Sequence, residues 1–174
     1  ADQILNRALR RLTPAEKSEL VIQTKVMPKE SPAEFEALLE VTIGNLSSSD
    51  KVSMLSLHGI NTAENLAWCL KPGGCLDIVE RFRSEGRFHD GGCLIGFSTH
   101  AQTDVILSAV ESKRFDYVNV HAHFMGGYTA VDNWPVVAAA SELGMGVFII
   151  SPNHQAGRWY RPTPVMRQLA GPLE

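Results

Sequence analysis

Two apolar runs in this chain each end in a titratable side chain. One is Leu20-Val21-Ile22-Gln23-Thr24-Lys25, the other Val52-Ser53-Met54-Leu55-Ser56-Leu57-His58. Read as strands of an α/β protein, they deliver a lysine and a histidine to the crevice where such folds bind ligands. A cation placed there lowers the pKa of a neighbouring acid, and a neutral imidazole orients a carbonyl. The plainer reading of Lys25 is a lysine whose stem covers apolar surface at a strand end. For His58 it is a core histidine satisfied by a backbone carbonyl. Gly59 follows His58 and permits a tight turn.

Other side chains at strand ends are weaker signals. His121 and His123 would share one face of a strand, a geometry suited to a divalent metal, but no further ligand is evident at another strand end. Ser98, Thr99, Asn119 and Ser151 could hydrogen-bond a cofactor amide or phosphate, or cap helices; capping is the better reading of Thr99. His89, His100 and His154 fall in loops with no specific role, and Cys93 reads as a small buried hydrophobe.

The elements that must position these groups alternate along the chain. Ile4, Leu5, Ala8, Leu9 and Leu12 repeat at helical spacing until Pro14 stops the pattern. Ser31-Pro32-Ala33-Glu34 is a capping box ahead of a helix whose buried face is Phe35, Leu38, Leu39, Ile43 and Leu46. After the second strand, Lys71-Pro72-Gly73-Gly74 interrupts a helical stretch that resumes through Leu76, Val79 and Phe82 and stops at Gly86. A third strand, Cys93–Phe97, leads to a second capping box, Thr99 with Gln102, and a helix through Val110. A fourth strand, Tyr117–His121, and a fifth, Val147–Ile150, flank a helix from about Val136 to Leu143. The tail holds one short helical possibility, Met166 to Leu169.

Near-continuously apolar strands alternating with helices predict a parallel sheet covered by helices. Five strands suit a doubly wound sheet, which the length favours, or part of an eight-stranded barrel. Val26-Met27-Pro28-Lys29 after the first strand is not a glycine-rich phosphate loop, so neither a Rossmann nor a P-loop reading is supported.

Composition narrows the function classes. At 174 residues, 44% apolar and 20% charged, the chain is read as a single domain with a real core. A net charge of −3 without a basic cluster beyond Arg10-Arg11 disfavours nucleic acid, and no apolar run reaches the length of a membrane span. Cys69, Cys75 and Cys93 lack metal or disulfide spacing and predict reduced thiols. An intracellular soluble protein, cytoplasmic or in an organelle stroma, is expected. The opening Ala1-Asp2-Gln3 reads as a processed or truncated start.

Together the strand ends resemble the aldo/keto reductase superfamily. The resemblance rests on Val21-Ile22-Gln23-Thr24-Lys25-Val26, Leu55-Ser56-Leu57-His58-Gly59-Ile60-Asn61, Ile95-Gly96-Phe97-Ser98-Thr99-His100, Phe115-Asp116-Tyr117-Val118-Asn119-Val120-His121 and Gly146-Val147-Phe148-Ile149-Ile150-Ser151-Pro152. It is nearest to the branch described as predicted oxidoreductases with an iron–sulfur tail, though that tail is absent. It implies a partial (β/α)8 TIM barrel, strands three to seven with covering helices, as one incomplete domain over 1–174. It also implies NADPH as cofactor and a small carbonyl substrate. Lys25 and His58 match the tetrad lysine and histidine. Ser98 matches the serine that contacts the nicotinamide amide, Asn119 stands where glutamine is frequent, and Ser151 lies near the cofactor phosphates.

The chain departs from the pattern in places. The tetrad aspartate and tyrosine belong to a segment preceding Ala1, and strands one, two and eight are missing. Thr99 replaces asparagine, and Ile150 stands where an aromatic ring stacks on nicotinamide. Two open sheet edges and an apolar interior call for further chain or protein partners to cover them. The expectation is therefore an enzyme fragment, inactive alone; the alternative is a non-catalytic subunit of a larger complex.

Overall fold

The computed structural model describes residues 2–48, 52–88, 92–122 and 132–150, with 163–165 and 168 beyond them. The elements run α1 (Asp2–Leu9), α2 (Pro14–Ser18), β1 (Gln23–Val26), α3 (Pro32–Gly44), β2 (Met54–His58), α4 (Ala63–Leu70), α5 (Cys75–Ser84), β3 (Leu94–Ser98), α6 (Thr103–Glu111), β4 (Tyr117–His121), α7 (Trp134–Glu142) and β5 (Gly146–Ile150). The five strands form one sheet in the order β1-β2-β3-β4-β5, and every pair is parallel. A doubly wound sheet reverses its strand order at a switch point; this one does not. Right-handed crossovers in unbroken succession put every helix on the same face, which is an arc of a (β/α)8 barrel.

Alternation along the strands separates the two faces. Leu55, Leu57, Ile95, Phe97, Val118 and Val120 point into the helix layer and join one core with Phe35, Leu39, Leu76, Val79, Ile106 and Val136. The residues between them form rows on the opposite, lumen face. One row is Lys25, Ser56, Gly96, Tyr117 and Gly146; the next is His58, Ser98, Asn119 and Phe148. The expected apolar interior is found towards the strand starts, where Met54 and Leu94 stand, and at Phe148 beside Asn119 in the upper row. The upper part is lined by buried polar groups.

Local signals explain most helix ends. Thr13 caps α2 in a reciprocal box with Glu16, so Pro14 begins a second short helix rather than only ending the first. Ser31 caps α3 by accepting from the Glu34 amide at 3.4 Å. Gly86 ends α5: its amide bonds the Arg83 carbonyl while Arg87 bonds that of Phe82. The Arg87 guanidinium then lies over the Phe82 ring at 4.1 Å.

The helical repeat around Ile4 and Leu9 does form α1, which buries Asn6 and Leu9 and leaves Ile4 65% exposed; Asn6 Oδ1 accepts from the Ser48 amide at 2.7 Å. One expectation fails here. Thr99 caps nothing: α6 begins after Gln102 with no side-chain cap. The Thr99 hydroxyl instead donates to the Ile60 carbonyl at 2.7 Å and accepts from the Ala101 amide at 2.9 Å, stitching the loops after β2 and β3.

All three cysteines are free and buried. Burial pushes the Cys93 thiol up to about 12, as suits a small hydrophobe. Of the expected tail helix, only Gln168 lies within the described residues. Among the described residues no helix is long and apolar enough to cross a membrane.

Candidate functional site

The C-terminal ends of β1 to β4 converge on one patch. Lys25 and His58 occupy the lumen face of adjacent strands, and the lysine charge reaches the imidazole. His58 is exposed, yet its pKa is lowered from the ordinary 6.5. The largest cause is burial of part of the ring, followed by the charges of Lys25 and His100. The turn that follows places Gly59 at φ 77°, and the Gly59 and Ile60 amides both donate to the Ser98 carbonyl. His58 is thus tied through its own backbone to the end of β3.

The sign of the His58 shift fixes its effect on stability. The folded state prefers the neutral ring, so the contribution is fully present above pH 6.5 and is lost as pH falls from there through the lowered value. Replacing Lys25 by Met removes one cause. The His58 pKa is expected to rise towards 6.5 in that variant, followed by the imidazole proton resonances across a pH titration; an unchanged value would separate the two residues.

Beside His58 in the register stand Ser98 and then Asn119, each 3% exposed. Ser98 Oγ and Asn119 Nδ2 have no hydrogen-bond partner among the described residues, nor do Ser56 Oγ and the Tyr117 hydroxyl. Four buried polar groups on one face without partners are costly, at about 1–3 kcal/mol each. Such a cost marks a site awaiting a ligand more readily than a packing error. Ser98 and Asn119 offer a hydroxyl and an amide donor side by side, the set that pairs with a carboxamide.

Tyr117 crosses the lumen face below this pair. Its ring packs so closely on Gly96 that a Cβ there would lie 2.5 Å from the ring carbons. The hydroxyl lies towards Gln23 and Ser56, which draw its pKa down slightly, though the geometry falls short of a hydrogen bond; burial dominates and pushes the pKa up. That is the opposite of what a proton donor near neutral pH needs, so Tyr117 does not stand in for a catalytic tyrosine.

The other sequence candidates divide. Ser151 and His123 lie outside the described residues, as do His89 and His154. Among the described residues no group of three His, Cys, Asp or Glu side chains could hold a metal. His100, read from sequence as a loop residue without a role, lies against His121 with ring centroids 4.7 Å apart. The signal was available: once β3 and β4 are neighbours with Ser98 opposite Asn119, positions 100 and 121 fall side by side.

A cavity of about 890 Å³ lies at the opposite end of the strands, among Met54, Leu94, Tyr117, Gly146 and Phe148. It is the open lower lumen. Barrel enzymes place their chemistry at the C-terminal end, so the patch around His58, and not the hollow beneath it, is the candidate site.

No protein-family model matches the chain, and no curated protein matches it by sequence. Solved structures do. An aldo-keto reductase from a Medee basin deep-sea metagenome library superposes with a TM-score of 0.67 at 15% identity, over 97% of this chain and 57% of the other. An aldo/keto reductase from Klebsiella pneumoniae, in complex with NADP and acetate, gives 0.61 at 18% identity over 90% and 50%. One from Brucella melitensis gives 0.64 at 12% identity over 97% and 58%. The chain spans about half the length of these structures, and over that half its fold is that of the aldo-keto reductases.

Proposed function

We propose that these residues are strands three to seven of an oxidoreductase of the aldo/keto reductase type, reducing a small carbonyl compound with NADPH. The observation that carries the proposal is the row His58, Ser98 and Asn119, with Lys25 beside it and unpaired polar groups at Ser98 and Asn119. A nicotinamide carboxamide presents one acceptor and two donors; Asn119 Nδ2 would donate to the oxygen and Ser98 Oγ would accept from one N–H. Two of the superposed structures are complexes with NADP or NADPH, which supports that choice of cofactor. Bound there, the cofactor supplies the hydride.

The chain's own residues would do the rest. His58, kept neutral by its surroundings, orients the carbonyl oxygen. Lys25 lowers the pKa of the acid that protonates the forming alkoxide. The tetrad Asp and Tyr are assigned to sequence outside the 174 residues, and Ser151 is kept as a phosphate-side contact. Ser98→Ala separates binding from folding. Stability is expected to hold or rise by about 1 kcal/mol, because an unpaired buried hydroxyl is removed. NADPH affinity, followed by fluorescence titration, is expected to fall about tenfold; equal affinity would take Ser98 out of the site.

The second reading is a non-catalytic subunit of a larger complex. It is favoured by the open lower lumen, where Leu94 is 50% and Phe148 45% exposed. The NADPH titration decides between the two, since a scaffold has no need to bind the cofactor.

A further inference from the structure

A carbonyl and a nicotinamide react only if the groups that hold them are fixed relative to each other. In the reductase reading those groups are His58 for the carbonyl and Ser98 for the carboxamide, register partners on adjacent strands. His58 is the last residue of β2, and the chain turns at Gly59, φ 77°. A strand end followed by so permissive a residue is not fixed by the ladder alone. What fixes it is a clasp between the loops after β2 and β3. The Gly59 and Ile60 amides donate to the Ser98 carbonyl at 2.8 and 3.1 Å. In the return direction the Thr99 hydroxyl donates to the Ile60 carbonyl at 2.7 Å. The Ala101 amide donates to the same hydroxyl at 2.9 Å, which aims its proton at Ile60.

Burial sets the Thr99 bonds apart from their neighbour. The same two loops share a bond from the His100 amide to Asn61 Oδ1 at 2.8 Å, but both residues are exposed, so water can substitute. Thr99 and Ile60 are each 1% exposed and Ala101 3%. Without the hydroxyl, a buried carbonyl and a buried amide would lose their partners. Ser98 needs no such help, because β3 pairs onward with β4 and the Thr99 amide donates to the Asn119 carbonyl at 3.3 Å. We infer that Thr99 is a positioning residue: its hydroxyl clasps the turn after His58 to the end of β3 and so sets where the carbonyl lies against the nicotinamide. The inference rests on the reductase reading for the reaction, whereas the clasp itself does not.

The test compares Thr99→Val, which keeps the shape without the hydroxyl, and Thr99→Ser, which keeps the hydroxyl, in the natural full-length protein. In the valine variant the His58 pKa, read from its ring-proton resonances, is expected to rise towards 6.5. A loosened ring is better hydrated and further from the charges of Lys25 and His100, and all three changes act in that direction. The kcat for reduction of an aldehyde with NADPH is expected to fall about a hundredfold, the cost of misplacing a reacting group by about 1 Å. NADPH affinity should hold, since Ser98 stays in the ladder. The serine variant should recover both the pKa and kcat. A merely structural threonine would change stability and leave the pKa and kcat of the folded protein alone. An unchanged His58 pKa in folded Thr99→Val would overturn the inference, as would a serine variant no better than the valine one. Should the valine variant not fold, hydrogen exchange of the unaltered protein decides. The Ile60 and Ala101 amides should be protected, and exchange as fast as in an unfolded chain would overturn the clasp. Turnover that Thr99→Val leaves unchanged sinks this inference alone. Failure of the unaltered protein to bind or use NADPH sinks the reductase reading, while the His58 titration still reads the clasp.

Discussion

Gly96→Ala is expected to destabilise the fold by about 3 kcal/mol, the upper part of the usual cost of overpacking. The new methyl would sit 2.5 Å from Cε1 and Cζ of Tyr117. The ring has little room to give: it is 1% exposed, with Phe148 edge-on at 5.6 Å and Gly146 close against its own Cβ. Urea denaturation measures the loss directly. The cause is tested by Tyr117→Ala, which removes all three clashing ring carbons and leaves a cavity. Combined with it, Gly96→Ala should cost far less than alone, a coupling that a double-mutant cycle reads. Additive losses would mean that the glycine serves the strand backbone and not the ring.

Lys25→Met should have the largest effect on activity. If the lysine lowers the pKa of the proton donor, its removal costs general acid catalysis, worth about a hundredfold to ten-thousandfold in rate. Turnover of NADPH with an aldehyde, measured on the natural full-length protein, is expected to fall by at least the lower figure. The fold should survive, because Lys25 is exposed and the core lies on the other face of β1. NADPH affinity should change little, since the pair expected to hold the carboxamide is Ser98 with Asn119. A variant that turns over normally would leave Lys25 as a surface lysine at a strand end.

Much of this arrangement was legible from residue order. Tyr117–His121 is bounded as its apolar pattern predicts, and Lys71-Pro72-Gly73-Gly74 breaks a helical stretch in two where proline and glycine require it. Which way each strand faces was less legible. Strands buried on both faces carry no strong alternation, so the polar lumen face that holds Ser56, Ser98 and Asn119 emerges only once the register is known. The alternation of elements alone left strand order open, because a doubly wound sheet and a barrel arc share it; the resemblance to the aldo/keto reductases pointed to the barrel arc, which is the order the sheet has. The β1 strand begins three residues later than its apolar run, since the Ile22 carbonyl is already engaged by the Ser53 and Met54 amides in an irregular approach. Thr99 misled because a threonine before a helix fits a cap equally well in sequence. What decided its role was the Ile60 carbonyl, 39 residues away along the chain.

The central claim is that the ends of β1 to β4 form the nicotinamide half of a reductase site. Titrating NADPH into isotope-labelled protein and following backbone and side-chain amides by NMR tests it most directly. Saturable shifts are expected at Ser98, at the Asn119 side-chain amide and at His58, with Met54, Leu94 and Gly146 at the other end of the strands unmoved. Shifts confined to that lower cavity, or none at millimolar cofactor, would contradict it.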